Sequence, residues 1–154
     1  IKKNPLTRAL RIDKMTLAAL EGTARLYRDP EQAVQKIPTL RMLTLPRESV
    51  LREAERLAGM LRRIPGETVH VEIREMFSQA GGGSLPMLNI PSAGVAITVD
   101  GLSAASVERF LRNRQIPIIG RIEDECMILD ARTLMEDDCL FIENAMTDLV
   151  RTLA

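Results

Sequence analysis

The sequence predicts an α+β fold: a small, mainly antiparallel sheet with helices on one face, preceded by a helical linker. Three observations carry this reading. Residues 68–76 alternate, with Val69, Val71 and Ile73 set against His70, Glu72 and Arg74, the signature of a half-buried strand. Val50, Ala54, Leu57, Ala58 and Leu61 recur at helical spacing, as do Ile142, Ala145, Met146, Leu149 and Val150. Between such segments stand the breakers Pro65-Gly66 and Gly81-Gly82-Gly83-Ser84.

Taken in order, Asn4-Pro5 opens a short helix through Thr7 to Leu10, with Asn4 as cap and Pro5 in the first turn. Asp13 to Arg28 reads as a helix that is apolar nearly all round, through Met15, Leu17, Ala18, Ala19, Leu20, Ala24, Leu26 and Tyr27. Such a helix is buried, or packs against something larger than this chain. Gly22 inside it costs about 1 kcal/mol relative to alanine, which points to close packing there. Asp29-Pro30 starts a short helix to Lys36, and Pro38 to Leu43 reads as a connector. Residues 1–44 are therefore expected to be a linker with helices, and 45–154 a compact domain.

In that domain a helix from Thr44-Pro46 to about Arg63 precedes the strand 68–76. The glycine loop and Pro86 lead to a second strand, Ala93 to Val99. Ser103 caps a helix reaching Arg114, with Val107, Phe110 and Leu111 inward. Strands Ile118–Ile122 and Cys126–Asp130 follow, joined by the acidic turn Glu123-Asp124-Glu125, and a helix from Asp137 to Leu153 ends the chain. The order α-β-β-α-β-β-α gives the sheet with its helical layer.

Composition excludes several classes. Basic and acidic residues number 21 each, so no strongly basic nucleic-acid arm dominates. The charge is nonetheless uneven: residues 1–44 carry nine Lys or Arg against four acids, and 123–148 carry nine acids against Arg132 alone. Cys126 and Cys139 are too few for a disulfide scaffold and lack metal-ligand spacing. No run approaches the roughly 20 apolar residues that cross a bilayer, so no membrane partner is expected. No leader pattern opens the sequence, and a reducing, cytoplasmic compartment is expected. The chain begins at Ile1, so a longer protein is expected.

Few residues invite chemistry. His70 is the sole histidine and falls on the polar face of a strand, and no nucleophile elbow accompanies it. Gly81-Gly82-Gly83-Ser84 lets backbone approach a ligand closely, but it lacks the Lys-Ser/Thr ending of a P-loop and precedes a strand; a flexible turn is the alternative. Arg8 and Arg11 are three apart on a short helix, hence either a solvated face or a two-fork grip for a phosphate-like anion. Arg121 sits in the apolar stretch Ile118-Ile119-Gly120-Arg121-Ile122, where a charge is expensive unless paired. It pairs with an acid such as Asp130 or binds a substrate carboxylate.

Asn4-Pro5-Leu6-Thr7-Arg8-Ala9-Leu10-Arg11, running into Asp13-Lys14-Met15-Thr16-Leu17-Ala18-Ala19-Leu20-Glu21, resembles the bacterial selenocysteine synthases, the L-seryl-tRNA(Sec) selenium transferases. So do Ile37-Pro38-Thr39-Leu40-Arg41-Met42-Leu43, Gly81-Gly82-Gly83-Ser84-Leu85-Pro86 and Ile118-Ile119-Gly120-Arg121-Ile122-Glu123-Asp124, in the family's order. The resemblance implies the C-terminal part of a pyridoxal-phosphate enzyme of the aminotransferase-like fold (fold type I): 1–44 as helical linker and end of the large domain, 45–154 as the small domain. It implies seryl-tRNA(Sec) and selenophosphate as substrates and a homo-oligomeric ring of dimers. The cofactor lysine would lie upstream, since Lys2, Lys3, Lys14 and Lys36 do not match the family's cofactor motif. No catalytic residue is then expected here, and the isolated chain is expected to be inactive. The resemblance gives Arg8 and Arg11 the selenophosphate anion and carries Arg121 over more weakly, toward the tRNA terminus or a structural pair. Two alternatives stay open: a related pyridoxal-phosphate lyase acting on a phosphorylated sugar acid, and a non-catalytic interaction module. The upstream reading frame discriminates among them.

Overall fold

The computed structural model describes residues 5, 6, 10–81 and 88–153. It divides into two compact units, Ile1–Thr44 and Leu45–Ala154.

In the first unit, Pro5 and Leu6 are helical and the Leu10 N–H donates to the Leu6 carbonyl at 2.9 Å. Asn4 and Thr7 lie outside the described residues. Helix α1 (Lys14–Leu26) begins at Asp13, whose Oδ1 accepts from the N–H groups of Met15 and Thr16 at 2.8 and 2.9 Å. Asp29 caps α2 (Pro30–Lys36) in the same way, with Pro30 in the first turn. The stretch read as a connector is instead helical, α3 (Pro38–Thr44). The reason is local: proline forces the preceding Ile37 out of helical geometry (φ −96°, ψ 109°), ending α2, while its own fixed φ starts a new turn.

α1 buries none of its residues within this chain, which excludes the first of its two expected readings. A Cβ on Gly22 would meet nothing within 4 Å, which corrects the close packing expected there. Within this chain, Gly22 is not held by close packing.

The second unit is α+β. Helix α4 (Arg47–Leu61) precedes β1 (Val69–Ser78) and β2 (Ile90–Val99). Then come α5 (Ala104–Arg112), β3 (Arg121–Glu123), β4 (Cys126–Asp130), a 3-10 turn (Ala131–Thr133) and α6 (Asp138–Arg151). The four strands pair antiparallel in the order β1-β2-β4-β3. The register puts Val95 opposite both Ile73 and Leu129, and Ile97 opposite both Val71 and Met127. Paired residues share a face, so these side chains form one apolar surface. Val50, Ala54, Leu57 and Leu61 of α4, Val107 and Leu111 of α5, and Ile142, Met146 and Leu149 of α6 close over that surface in a single core.

The other sheet face carries small β2 residues, Ser92, Gly94 and Ala96, covered by longer side chains from the neighbouring strands. A Cβ on Gly94 would stand 2.5 Å from Met76 Sδ and 2.8 Å from the Leu129 carbonyl oxygen. Nothing larger than hydrogen fits there without displacing backbone.

The strand expected over Ile118–Ile122 pairs only from Arg121 to Glu123. Gly120 passes so close to β4 that a Cβ would lie 2.5 Å from the Ile128 carbonyl oxygen. Asp124 and Glu125 both take positive φ (49° and 58°), the two-residue turn whose twist suits a tight hairpin.

Candidate functional site

The densest polar constellation lies where β1 leaves for the glycine loop and β2 returns. Asp130, at the end of β4, accepts from the hydroxyls of Ser78 and Ser92, the latter at 2.8 Å. The same carboxylate takes the Arg132 N–H at 3.0 Å and so caps the 3-10 turn. That turn aims the buried Arg132 guanidinium at two carbonyls: Leu45, at 2.9 Å, and Pro91, at 2.6 Å. Burial pushes the Arg132 pKa down, with Asp130 acting in the opposite direction. A guanidinium stays charged even so. It thereby ties the first residue of the second unit to the start of β2 and the end of β4.

Sequence reasoning passed over Arg132. The available signal was an arginine three residues after the apolar run Met127-Ile128-Leu129, where an unpaired charge is costly.

Of the glycine loop, Gly81 is an exposed bend, while Gly82, Gly83 and Ser84 lie outside the described residues. So does Arg8. Arg11 is exposed and falls past the turn at Leu10, outside regular secondary structure. The shared helical face expected for the two arginines does not extend to Arg11.

Arg121 pairs with an acid, one of its two expected readings, but the partner differs from the one named. It is exposed, and its Nε donates to Glu123 Oε2 at 3.0 Å. Asp130, the partner considered from sequence, is occupied by the two serines. Arg121 Nη2 also reaches Met76 Sδ at 3.8 Å, so the side chain lies along the helix-free face.

His70 pairs with Asp100 (3.0 Å) with both side chains exposed. Cys139 is buried, and burial together with its 3.2 Å contact to Glu53 pushes its thiol up to about 12. It is a packing residue. Among the described residues no group of three His, Cys, Asp or Glu could hold a metal ion. Nor does any described helix have the length and apolar character to cross a membrane.

Pyridoxal phosphate needs an amine held in an enclosed pocket with a phosphate cradle. The described lysines, Lys14 and Lys36, are both exposed on helices, and Lys36 Nζ donates to Gln32 Oε1 at 3.0 Å. These residues do not fit the cofactor.

A model of the family described as L-seryl-tRNA selenium transferase matches residues 1–135. Proteins named L-seryl-tRNA(Sec) selenium transferase align over nearly the whole chain. The one from Geotalea uraniireducens is 47% identical over 151 residues, covering 98% of this chain and 33% of its own length. That from Geobacter sulfurreducens is 46% identical over 149 residues, covering 97% and 32%. That from Alkaliphilus metalliredigens is 43% identical over 153 residues, covering 98% and 32%. The chain thus spans about a third of the length of the curated relatives it matches. With most of its length matched both to the family model and to these relatives, the chain belongs to the L-seryl-tRNA selenium transferase family.

Proposed function

We propose that this chain is the C-terminal part of an enzyme that converts seryl-tRNA(Sec) to selenocysteinyl-tRNA(Sec) with selenophosphate in the cytoplasm. The observation that carries the reading is the match to curated selenium transferases over 98% of the chain but 33% of their length. Residues 1–44 are the helical linker at the end of the large domain, and 45–154 are the small domain. Pyridoxal phosphate sits on a lysine outside this chain, and the whole protein assembles as a ring of dimers. The names of the relatives favour this over the sugar-acid lyase and over a module without catalysis.

The role of the first unit is anion binding. Selenophosphate carries oxygens that match the arginine fork. Arg8 and Arg11 supply two such forks, and the exposed position of Arg11 leaves its guanidinium available. A charge-assisted hydrogen bond contributes about 1.5–3 kcal/mol, so each Arg→Ala change should cost roughly 10- to 100-fold in use of the donor. Arg121, at the surface with Glu123, has a lesser part near the tRNA terminus.

The test is donor saturation and tRNA affinity, assayed separately in the full-length protein bearing Arg8→Ala or Arg11→Ala. Impaired donor saturation with tRNA affinity intact supports the assignment, and Arg→Lys should restore only part of it. Unchanged donor saturation with collapsed tRNA affinity overturns it and moves these arginines to the RNA surface.

A further inference from the structure

A groove of about 700 Å³ runs between α5 and α6, within the roughly 300–1,000 Å³ range of ligand sites. Two features set it apart from an ordinary surface cleft. Its charged lining residues are Arg109 and Arg114, and no Asp or Glu lines it. Its other walls combine aromatic rings, Phe110 and Phe141, with the side-chain amides of Asn113 and Asn144.

The two arginines are not equivalent. Arg114 is committed: it donates to Asp148 at 2.6 Å and lies 5.4 Å over the Phe110 ring. Arg109 is exposed and, among the described residues, makes no ion pair or side-chain hydrogen bond. Phe141, in the first turn of α6, leaves 42% of its surface open. One face therefore offers an uncommitted guanidinium, an open aromatic ring and amide groups.

That combination has a chemical match. A guanidinium binds a phosphate oxygen pair, an aromatic ring stacks on a base, and amides bond to base edges. We propose that the α5–α6 groove binds single-stranded RNA, with a phosphate on Arg109 and the adjoining base on Phe141. The anionic phosphate complements a lining whose charges are all basic, whereas a purely apolar partner would leave Arg109 desolvated and unpaired. The choice of RNA rather than a free nucleotide rests on the reading above, in which the full-length protein acts on an aminoacyl-tRNA.

The experiment uses the 154-residue chain and a fluorescein-labelled tetra-adenylate RNA, followed by anisotropy at low ionic strength. Saturable binding is expected. Arg109→Gln should weaken it about tenfold and reduce the slope of log affinity against log salt by about 1. Phe141→Ala should weaken it about tenfold, and Phe141→Tyr should restore it. Both positions are exposed, and unchanged far-UV circular dichroism shows that each variant is folded.

Absence of saturable binding overturns the proposal, as does binding that ignores both substitutions. Equal affinity for AMP and the tetranucleotide overturns the RNA assignment. Self-association of the chain that Phe141→Ala abolishes overturns it in favour of a second copy. Failure of the donor assay with groove binding intact breaks only the proposed reaction. A working enzyme whose groove takes no RNA breaks only this inference.

Discussion

Helices α1 and α4 make an instructive pair, because the more apolar of the two is the more exposed. α1 carries Met15, Leu17, Ala18, Ala19, Leu20, Ala24 and Leu26 and buries none of them. α4 carries six charged residues among its fifteen, yet Val50, Ala54, Leu57, Ala58 and Leu61 are all buried. What separates them is arrangement. The α4 residues recur at three- and four-residue intervals and fall on one face, which a single sheet can cover. The apolar residues of α1 spread around the helix, so no one neighbour could cover them. Apolar content thus reports how much partner surface a helix needs, and periodicity reports whether its own domain can supply it.

The sharpest way to break this comparison is to truncate one leucine on each helix. Leu57 is fully buried against the sheet, so Leu57→Ala should cost about 2–5 kcal/mol, through lost burial and the cavity left behind. Leu20 is 59% exposed, and Leu20→Ala should change stability by no more than about 0.5 kcal/mol. Denaturant unfolding of the chain measures both. Equal costs would mean that α1 is packed in solution.

A comparable effect is expected at Arg132, which joins the start of the second unit to β2. Arg132→Met keeps much of the volume but removes the donors to Leu45 and Pro91. Each carbonyl left without its partner should cost roughly 1–3 kcal/mol. Arg132→Lys should recover only part, since an ammonium on a single stem does not reproduce a fork directed at two carbonyls. Measured by the same unfolding curves, a neutral Arg132→Met would show that the clamp holds nothing.

How far the sequence disclosed this molecule depends on the range of the interactions involved. The antiparallel sheet and its helical layer were legible because alternation at Val69–Ile73 and the α4 stripe are local patterns that burial enforces. Pro38 was misread as a connector because a proline that ends one helix also starts another, and the difference lies in the six residues after it. Arg121 was misread for a different reason. Its apolar neighbours suggested burial, but the sheet edge and the one-residue separation from Glu123 gave it an exposed partner. The Arg132 clamp spans 41 and 87 residues and the Ser78–Asp130–Ser92 cluster 38 and 52, which no local pattern reports. The arginine pair at Arg8 and Arg11 was singled out by spacing and given its role by the family resemblance, and the α5–α6 groove exists only once two distant helices meet.

The mildest test acts on the first unit, where helix ends rather than a core supply the order. The Asp13 carboxyl sits below its ordinary value of 3.8, chiefly because the Thr16 hydroxyl and then the Thr16 N–H donate to it. A carboxyl whose folded pKa is depressed stabilises the folded form fully above the unfolded pKa, and loses that contribution as pH falls through the folded value. The Thr16 amide resonance should therefore hold its position from neutral pH down to about pH 4, and move only below it. Asparagine is also a good cap but does not ionise. Asp13→Asn should thus keep α1 capped while removing this acid transition, and Asp29 serves as an internal comparison because Gln32 lowers its carboxyl in the same way. Nuclear magnetic resonance titration reads the two caps separately. A midpoint for Asp13 at or above 3.8 would show that Thr16 does not hold the carboxylate in solution, and that α1 frays at its start. The contrast with α4 would then widen, since a core holds α4 whatever the pH does to its ends.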